Sequence, residues 1–228
     1  MKSFEIKEAI YKIGVKMVHD YPHYPDIVNN PANGIVPRGL IYIEKDRDLS
    51  GRGSVMVGIN PGRANRVERE FYKNRAAIYK TTIEYWDKKI KNLRYYKRGL
   101  KLVDKIGLHG PILWTELVKC ESPKGVTLSV QTIRDSINRY LFREVECTPE
   151  DWPLIGIGDK AFEILAYSFP KRTVIGIPHI TGSYGQFHRL FTGSKINPHA
   201  KQQLKKILRE KSIAAAFKCR NGNCCFDV

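Results

Sequence analysis

The sequence predicts an α/β fold in which helices cover both faces of a central, mainly parallel four-stranded sheet, a three-layer αβα arrangement. Two observations lead to this class. Four short apolar runs are typical of buried strands, and helical segments separate them, so strand and helix alternate along the chain. The four runs are SVMVGI (54–59), PILWTELV (111–118), PLIGIG (153–158) and RTVIGIP (172–178).

The helices are predicted from apolar residues at three- and four-residue spacing. An amphipathic helix covers residues 4–18, further helical segments occupy 65–107, and KAFEILAYSF follows the third strand. Spacing of this kind places apolar side chains on one helix face, where they can pack on a sheet. The helix before the third strand carries such a stripe in Val130, Ile133, Ile137 and Leu141.

The remaining segments complete a single predicted domain, residues 1–228. Asn197 and Pro198 suit an N-cap and a first helical position, so a basic C-terminal helix is predicted over 197–218. Four prolines and two glycines between residues 20 and 39 predict an irregular surface wrap over 20–50, in which LIYIEKD adds a short edge strand. No internal repeat and no low-complexity linker interrupts the chain.

Hydropathy argues against a membrane or secreted protein. No apolar run approaches the roughly eighteen residues that a membrane-spanning helix needs. The N-terminal MKSFEIKEAIYKIGV mixes Lys and Glu among its apolar positions, unlike a signal peptide. We therefore expect a monomer with no membrane partner, located in the cytoplasm, in association with the nucleoid, or in a nucleus.

The formal net charge of +16 is concentrated in two segments. Residues 63–107 hold fourteen Lys and Arg against five Asp and Glu, and residues 195–220 hold eight against one, so these segments contribute +9 and +7 and the remainder is neutral. Such clustering is typical of a polyanion-binding surface and favours nucleic acid as the partner. The alternative is that lysine-rich, solvated helices only promote solubility.

The five cysteines favour free thiols over a cofactor site. Cys120 and Cys147 stand apart, whereas Cys219, Cys224 and Cys225 crowd the tail. Four thiolates could in principle bind zinc or an iron–sulfur cluster, but the sequence has no C-x-x-C pair. An odd number of cysteines without a signal peptide also argues against a disulfide framework. We expect no metal and no cofactor.

Polar residues follow three of the predicted strands, where ligands of parallel sheets bind. Gly58 and Gly62 flank Asn60-Pro61, and an Asn held stiffly there can position a water or a polar substrate group, or only satisfy its own turn. Glu116 lies within an apolar strand, where a carboxylate needs a partner such as a helix lysine. His179 ends another strand and is either a packed histidine or a hydrogen-bond donor to a leaving group.

Four motifs together resemble the uracil-DNA glycosylase superfamily, in particular its mismatch-specific and thymine-DNA glycosylase branches. They occur in the family's order within residues 54–190, about 60% of the chain. GINPG resembles the first motif, WTELVKCESPKGVTLS the middle strand, GIGDKAFEIL a strand–helix element, and PHITG a variant of the last motif. The resemblance implies a metal-free enzyme that extrudes a base from double-stranded DNA and cuts its N-glycosidic bond.

The resemblance also implies roles for individual residues. Asn60 would orient the attacking water, and His179 would stabilise the negative charge on the departing base. The backbone around Gly58, Ile59 and Gly62 would line the base pocket, with the ring of Phe71 or Tyr72 stacked on the base.

DNA contacts are implied around the same strand ends. Tyr184 or Phe187 would wedge into the gap left in the duplex, and Ser183 and Gly185 would offer backbone N–H groups to phosphate. Three cations would contact the flanking backbone, together with lysines of the helices. They are Arg63, Arg66 and Lys119.

The sequence departs from the family at Glu116, where an Asn that reads uracil is common. A carboxylate only accepts hydrogen bonds, so Glu116 would suit a base edge that presents N–H groups, such as hypoxanthine, xanthine or a cytosine derivative. Ile180 and Thr181 replace the more common Pro and Ser of the last motif. Two alternatives remain: a non-catalytic nucleic-acid-binding protein, in which Glu116 forms a structural ion pair, and a nucleotide or nucleoside hydrolase.

Overall fold

A computed structural model gives the architecture of the chain. It describes residues 2–73, 79–181, 183–192, 195–215, 218–220 and 223–225, with the backbone alone at 183–186, 192, 218–220 and 223–225. The fold is mixed α/β with a central, mainly parallel sheet flanked by helices, which confirms the predicted class.

The central sheet has six strands rather than the predicted four. They are β1 (Ile41–Ile43), β2 (Ser54–Gly58), β3 (Ile112–Glu116), β4 (Leu154–Ile157), β5 (Val174–Ile177) and β8 (Ile213–Ala215), in the spatial order β1-β3-β2-β4-β5-β8. All four predicted strands are present, and β1 is the predicted edge strand. Parallel pairing links β2 to β4, β4 to β5 and β5 to β8.

Eight α-helices are found in the described part of the chain. They are α1 (Ser3–Asp20), α2 (Arg66–Lys73), α3 (Tyr79–Lys88), α4 (Arg94–Ile106), α5 (Val130–Ser136), α6 (Phe142–Glu146), α7 (Asp159–Ser168) and α8 (Pro198–Glu210). A π-helical turn, Ile137–Leu141, joins α5 to α6, and 3₁₀ helices cover Pro31–Asn33, Ile90–Asn92 and Ser183–Leu190. Short two-stranded pairings join β6 (Phe191–Thr192) to β7 (Lys195–Ile196), and β9 (Lys218–Arg220) to β10 (Asn223–Cys225).

Two details of the predicted helices are wrong. The last helix has the predicted N-cap, since Asn197 Oδ1 accepts from the His199 backbone N–H at 2.9 Å, but it ends at Glu210 and not at residue 218. Residues 213–215 instead form β8, because backbone pairing with β5 outweighs the helix propensity of their alanines. Val130 does not belong to the apolar stripe and is 81% exposed, whereas Ile133, Ile137 and Leu141 are buried.

The chain folds into two compact units, each assembled from three stretches of sequence. The first unit comprises residues 1–42, 59–92 and 114–149, and the second comprises 43–58, 93–113 and 150–228. Because the stretches alternate along the chain, the division is not a linear domain boundary. The sequence predicted one continuous domain and gave no sign of this division.

The first unit is built largely from helices. Helix α1 packs against α3 and α6, and its face toward them is apolar because Ile6, Ile10 and Met17 recur at helical spacing. A second cluster of buried side chains joins Val36 and Tyr72 to Tyr85 on α3, with Phe71 packed beside it.

The second unit contains β2, β4, β5 and β8 with α4, α7 and α8. Helix α7 packs on β4 and β5, and two glycines allow its close approach. A Cβ atom on Gly156 would lie 2.6 Å from the backbone nitrogen of Phe162, and one on Gly176 would lie 2.7 Å from the Phe162 ring. These strand glycines therefore serve packing of the helix on the sheet.

Candidate functional site

Asn60 lies two residues beyond the end of β2, with its side chain half-buried. The side-chain Nδ2 donates to the backbone carbonyl of Cys120 and to Ser122 Oγ, each at 3.4 Å. Among the described residues, no group donates a hydrogen bond to Asn60 Oδ1. Two long hydrogen bonds thus fix the direction of the amide and leave its oxygen as the available acceptor.

The loop after Asn60 is held by a buried ionic network that the sequence analysis did not find. The Arg38 guanidinium donates to the Gly62 carbonyl, to Glu121 Oε2 at 2.9 Å and to Glu68 Oε1 at 3.0 Å. Glu121 Oε2 also accepts from the Ala64 backbone N–H at 2.6 Å. Burial raises the pKa of Glu68, against the charge of Arg38, which lowers it. The network stabilises the loop that carries Asn60.

The two glycines that flank Asn60-Pro61 do not adopt the left-handed backbone that glycine allows. Neither Gly58 nor Gly62 has a positive φ, and a Cβ atom on Gly62 would meet no atom within 4 Å. Gly58 is buried at the end of β2, whereas Gly62 is exposed. Ile59 is half-buried, and its carbonyl accepts from the Val118 backbone N–H at 3.0 Å. The space beside Gly62 is therefore open.

A basic groove of about 530 Å³ lies next to this loop in the first unit. Arg63 and Arg66, both predicted to contact DNA, are exposed and line the groove together. Arg69 also lines it, while its Nη2 lies 3.2 Å from Glu121 Oε1. The other lining residues are Asn33, Ile35, Ala64, Glu70 and Lys73. One acidic side chain faces four basic ones, so the groove favours an anionic ligand.

Glu116 is almost completely buried at the end of β3, with 3% of its surface exposed. The predicted ion pair with a helix lysine is absent, since the described residues place no Lys or Arg nitrogen within 4 Å of its carboxyl group. Gly39, at φ +86°, makes room for it, because a Cβ atom there would lie 2.6 Å from Glu116 Cγ. Burial raises the pKa of Glu116 to about 8, although the charge of Lys119 lowers it. The side chain is therefore a neutral acid at pH 7.

Lys119 was predicted to contact DNA, and this prediction is wrong. Both Lys119 and Glu144 have fully buried side chains, and Lys119 Nζ lies 2.8 Å from Glu144 Oε2. The ammonium group also donates to Thr115 Oγ1 at 2.6 Å and to the Glu116 carbonyl at 2.5 Å. An ammonium group that is buried and satisfied in this way cannot reach a phosphate.

His179 lies two residues beyond the end of β5 in the second unit and is half-buried. Its ring centroid is 5.7 Å from that of Tyr95 on α4, a neighbour that the sequence analysis missed. Burial lowers the pKa of His179 from its ordinary value of 6.5, so the imidazole is neutral at pH 7 and can donate one N–H.

The segment after His179 differs in part from its predicted role. Phe187 is buried, with its ring centroid 5.7 Å from that of Phe191, so it does not wedge into DNA from this position. The side chains of Ser183, Tyr184 and Gln186, and the surroundings of Gly185, lie outside the described residues.

The two rings proposed to stack on the base have different surroundings. Tyr72 is buried in the cluster with Tyr85 and is not available for stacking. Phe71 is half-buried, with its ring centroid 4.8 Å from that of Tyr85, and Lys88 Nζ lies 5.9 Å from the Phe71 centroid. Of the two, Phe71 alone has a partly exposed ring.

The described part of the chain offers no cluster of three or more His, Cys, Asp or Glu side chains that could bind a metal ion. Cys120 and Cys147 are free thiols there, and burial raises the pKa of Cys120. The side chains of Cys219, Cys224 and Cys225 lie outside the described residues. No helix in the described ranges is long and apolar enough to cross a membrane.

No protein-family model matches the sequence, and no curated protein matches it at a significant level.

Proposed function

We propose that this protein is a monofunctional DNA glycosylase, which flips a deaminated or mismatched base out of duplex DNA and hydrolyses its N-glycosidic bond. The observation that carries this proposal is the anchored amide of Asn60. Its nitrogen is engaged by Cys120 and Ser122, its oxygen accepts no hydrogen bond from the described residues, and Arg63 and Ala64 of the same loop line an open, basic groove.

In the proposed reaction, Asn60 Oδ1 accepts a hydrogen bond from a water molecule and directs the water oxygen toward the sugar C1′. The C–O bond forms as the C1′–N bond breaks, and the bonding electrons leave with the base. The water loses a proton to solvent, and the departing base takes one up. Orientation of this kind supports rate gains of about a hundredfold or more.

His179 serves the leaving group in this proposal. The departing base carries negative charge on a carbonyl oxygen, which an N–H donor stabilises. A neutral imidazole is sufficient for this role, and burial, which lowers the pKa of His179, keeps it in that form at pH 7. The proposal therefore requires no charged histidine.

The DNA backbone would be held by Arg63 and Arg66, whose exposed guanidinium groups share one groove. Arginine forms bidentate hydrogen bonds with phosphate, which positions the duplex without reading its sequence. We retain Tyr184 as the proposed wedge, and Ser183 and Gly185 as backbone donors to phosphate. Phe71 is the proposed stacking ring.

Glu116 would lie in the base pocket with the backbone of Gly58, Ile59 and Gly62. As a neutral acid it both donates and accepts a hydrogen bond, unlike the carboxylate that the sequence alone predicts. A carbonyl edge such as that of uracil is therefore acceptable at pH 7. Excision of bases that present N–H groups should become faster once Glu116 ionises, above its pKa of about 8.

The test is incubation with labelled duplexes that contain uracil, thymine or hypoxanthine opposite each normal base, followed by alkali. Strand scission at the modified position is expected, with a loss of at least about a hundredfold in Asn60→Ala. Asn138→Ala is the matched control, since Asn138 is an exposed Asn in the π-helical turn. Scission that is equal in both variants would refute the role of Asn60.

Duplex affinity and activity on free nucleosides, measured beside scission, separate the two alternatives. Salt-sensitive duplex affinity without scission at any base would indicate a non-catalytic binding protein. No duplex affinity at low salt, together with release of a base from a free nucleoside or nucleotide, would indicate a hydrolase of small substrates.

A further inference from the structure

The outer face of α8 carries a row of positive charge that the proposed active site does not use. Lys201, Lys205 and Arg209 follow one another at four-residue intervals, and they line a groove of about 590 Å³ with Pro198, Gln202 and Lys206. No acidic side chain lines this groove. The opposite face of α8 is apolar and buried through Leu204, Ile207 and Leu208, so the helix orientation is fixed by packing and the basic row faces outward.

Regular spacing distinguishes this row from scattered surface lysines. Residues four apart on a helix are neighbours on one face, and each step rises about 6 Å, so the row is about 12 Å long. A duplex strand presents one phosphate per about 3.4 Å of axis. The row can therefore neutralise about three phosphates of one strand.

The chemistry of the groove favours the phosphate backbone of a duplex over a protein surface or a single strand. Protein interfaces are anchored by buried aromatic and large apolar side chains, and the groove has none. Single-stranded nucleic acid is bound through aromatic rings that stack on bases, which are also absent among the lining residues. Lysine, arginine and glutamine side chains are what a phosphate backbone requires.

We propose that α8 is a second DNA-binding surface, which contacts the phosphate backbone of the duplex and adds affinity independent of base sequence. Helix α4, which packs on α8, carries the exposed lysines Lys97, Lys101 and Lys105 at the same four-residue intervals. The second unit therefore presents two basic rows from neighbouring helices. The α8 surface concerns binding alone, so it can exist whether or not the protein cuts a glycosidic bond.

The test neutralises the row with the triple variant Lys201→Gln, Lys205→Gln, Arg209→Gln and measures duplex affinity from about 50 to about 300 mM salt. Three lost phosphate contacts should reduce the slope of log K against log salt by about 2.7 and weaken binding about a hundredfold at about 0.15 M salt. Arg209 should contribute the least of the three, because its Nη2 lies 3.5 Å from Glu210 Oε1 on the surface. Far-UV circular dichroism and a urea titration establish that the variant is folded.

The matched control is the triple variant Lys7→Gln, Lys12→Gln, Lys16→Gln on α1, which lowers the net charge equally. These lysines are exposed, and Lys12 and Lys16 pair with Glu8 and Asp20 on the same helix. The control should change the slope by less than about 1. Equal effects of the two variants would refute a local surface on α8.

Three further outcomes are decisive. If base excision is absent but the α8 variant weakens duplex binding as expected, the DNA-binding role of α8 stands and the proposed glycosylase activity falls. If excision occurs and the α8 variant binds the duplex like the control, the glycosylase activity stands and the DNA-binding role of α8 falls. Binding through α8 to vesicles of anionic lipid, without binding to the duplex, would overturn the inference.

Discussion

The burial of Glu116 leads to a specific prediction about stability and pH. Its carboxyl group is 3% exposed beside Gly39, and burial raises its pKa to about 8 from an ordinary value of 4.5. Between these two values the folded state holds a proton that the unfolded state has released. Glu116→Gln replaces this titrating acid with an uncharged side chain of nearly the same size.

The sign and size of the effect follow from linkage. Because the folded state binds more protons, stability falls as pH rises between the two pKa values, 4.5 and about 8, by about 1.4 kcal/mol per pH unit. At pH 7 the wild-type protein should have lost about 3 kcal/mol through this group, and the loss should level off at about 5 kcal/mol above pH 8. Glu116→Gln removes this loss, whereas any cost of burying its amide is the same at every pH.

Urea titrations of both proteins at pH 5, 6, 7 and 8 measure the difference. With a urea dependence of about 3 kcal/mol/M for a chain of this size, the midpoint of the variant should shift upward by about 1 M between pH 5 and pH 7, relative to wild type. Glu163→Gln, at an exposed glutamate of α7, is the control and should show no such trend. A difference between Glu116→Gln and wild type that stays constant with pH would refute a neutral, buried acid.

Glu144→Gln should lower the free energy of unfolding by about 3–5 kcal/mol, because it leaves Lys119 buried without its counter-ion. The double variant Lys119→Met, Glu144→Leu should recover most of this lost stability, and urea titrations of both variants measure the difference. Reversing the exposed lysines of α4 to Glu should weaken duplex affinity equally for all sequences and flatten its salt slope; unchanged titrations would show that α4 does not face DNA. Because burial lowers the pKa of His179 below 6.5 and raises that of Glu116 to about 8, excision of uracil should be constant near pH 7 and fall above about pH 8, where the Glu116 carboxylate repels the uracil carbonyl, and Glu116→Gln should lose that fall. Above about pH 8, where wild-type Glu116 is ionised, Glu116→Asn should shift the preference toward uracil in a competition between duplexes, and an unaltered preference would remove Glu116 from the pocket.

The sheet and most helices were predictable because their signals are local. Each predicted strand is a short apolar run, and a strand that is buried on both faces needs only a continuous run of apolar residues. The start of α8 was predictable for the same reason, since Asn197 and Pro198 act within one helical turn. Strand β8 was not, because its alanines favour a helix in isolation and its strand conformation depends on pairing with β5, a partner distant in sequence.

The site was less predictable because its charged residues pair over long sequence separations. Lys119 follows a strand and precedes a loop, which is where a DNA-binding lysine would also occur. Only the fold brings Glu144 to it and removes both from solvent. Arg38 gave still less signal, because it lies in the irregular wrap and its partners Glu68 and Glu121 are distant in sequence.

The buried ion pairs change the balance of charge at the surface of the molecule. Among the described residues, five acidic side chains are buried but only two basic ones, so folding withdraws more negative than positive charge from the solvent. The acidic set is Asp26, Glu68, Glu116, Glu121 and Glu144, and the basic set is Arg38 and Lys119. The surface is therefore more positive than the formal charge of +16 indicates. At short range, the surface lysines are therefore less neutralised by neighbouring acids and remain available to a polyanion, because these acids are engaged inside the protein.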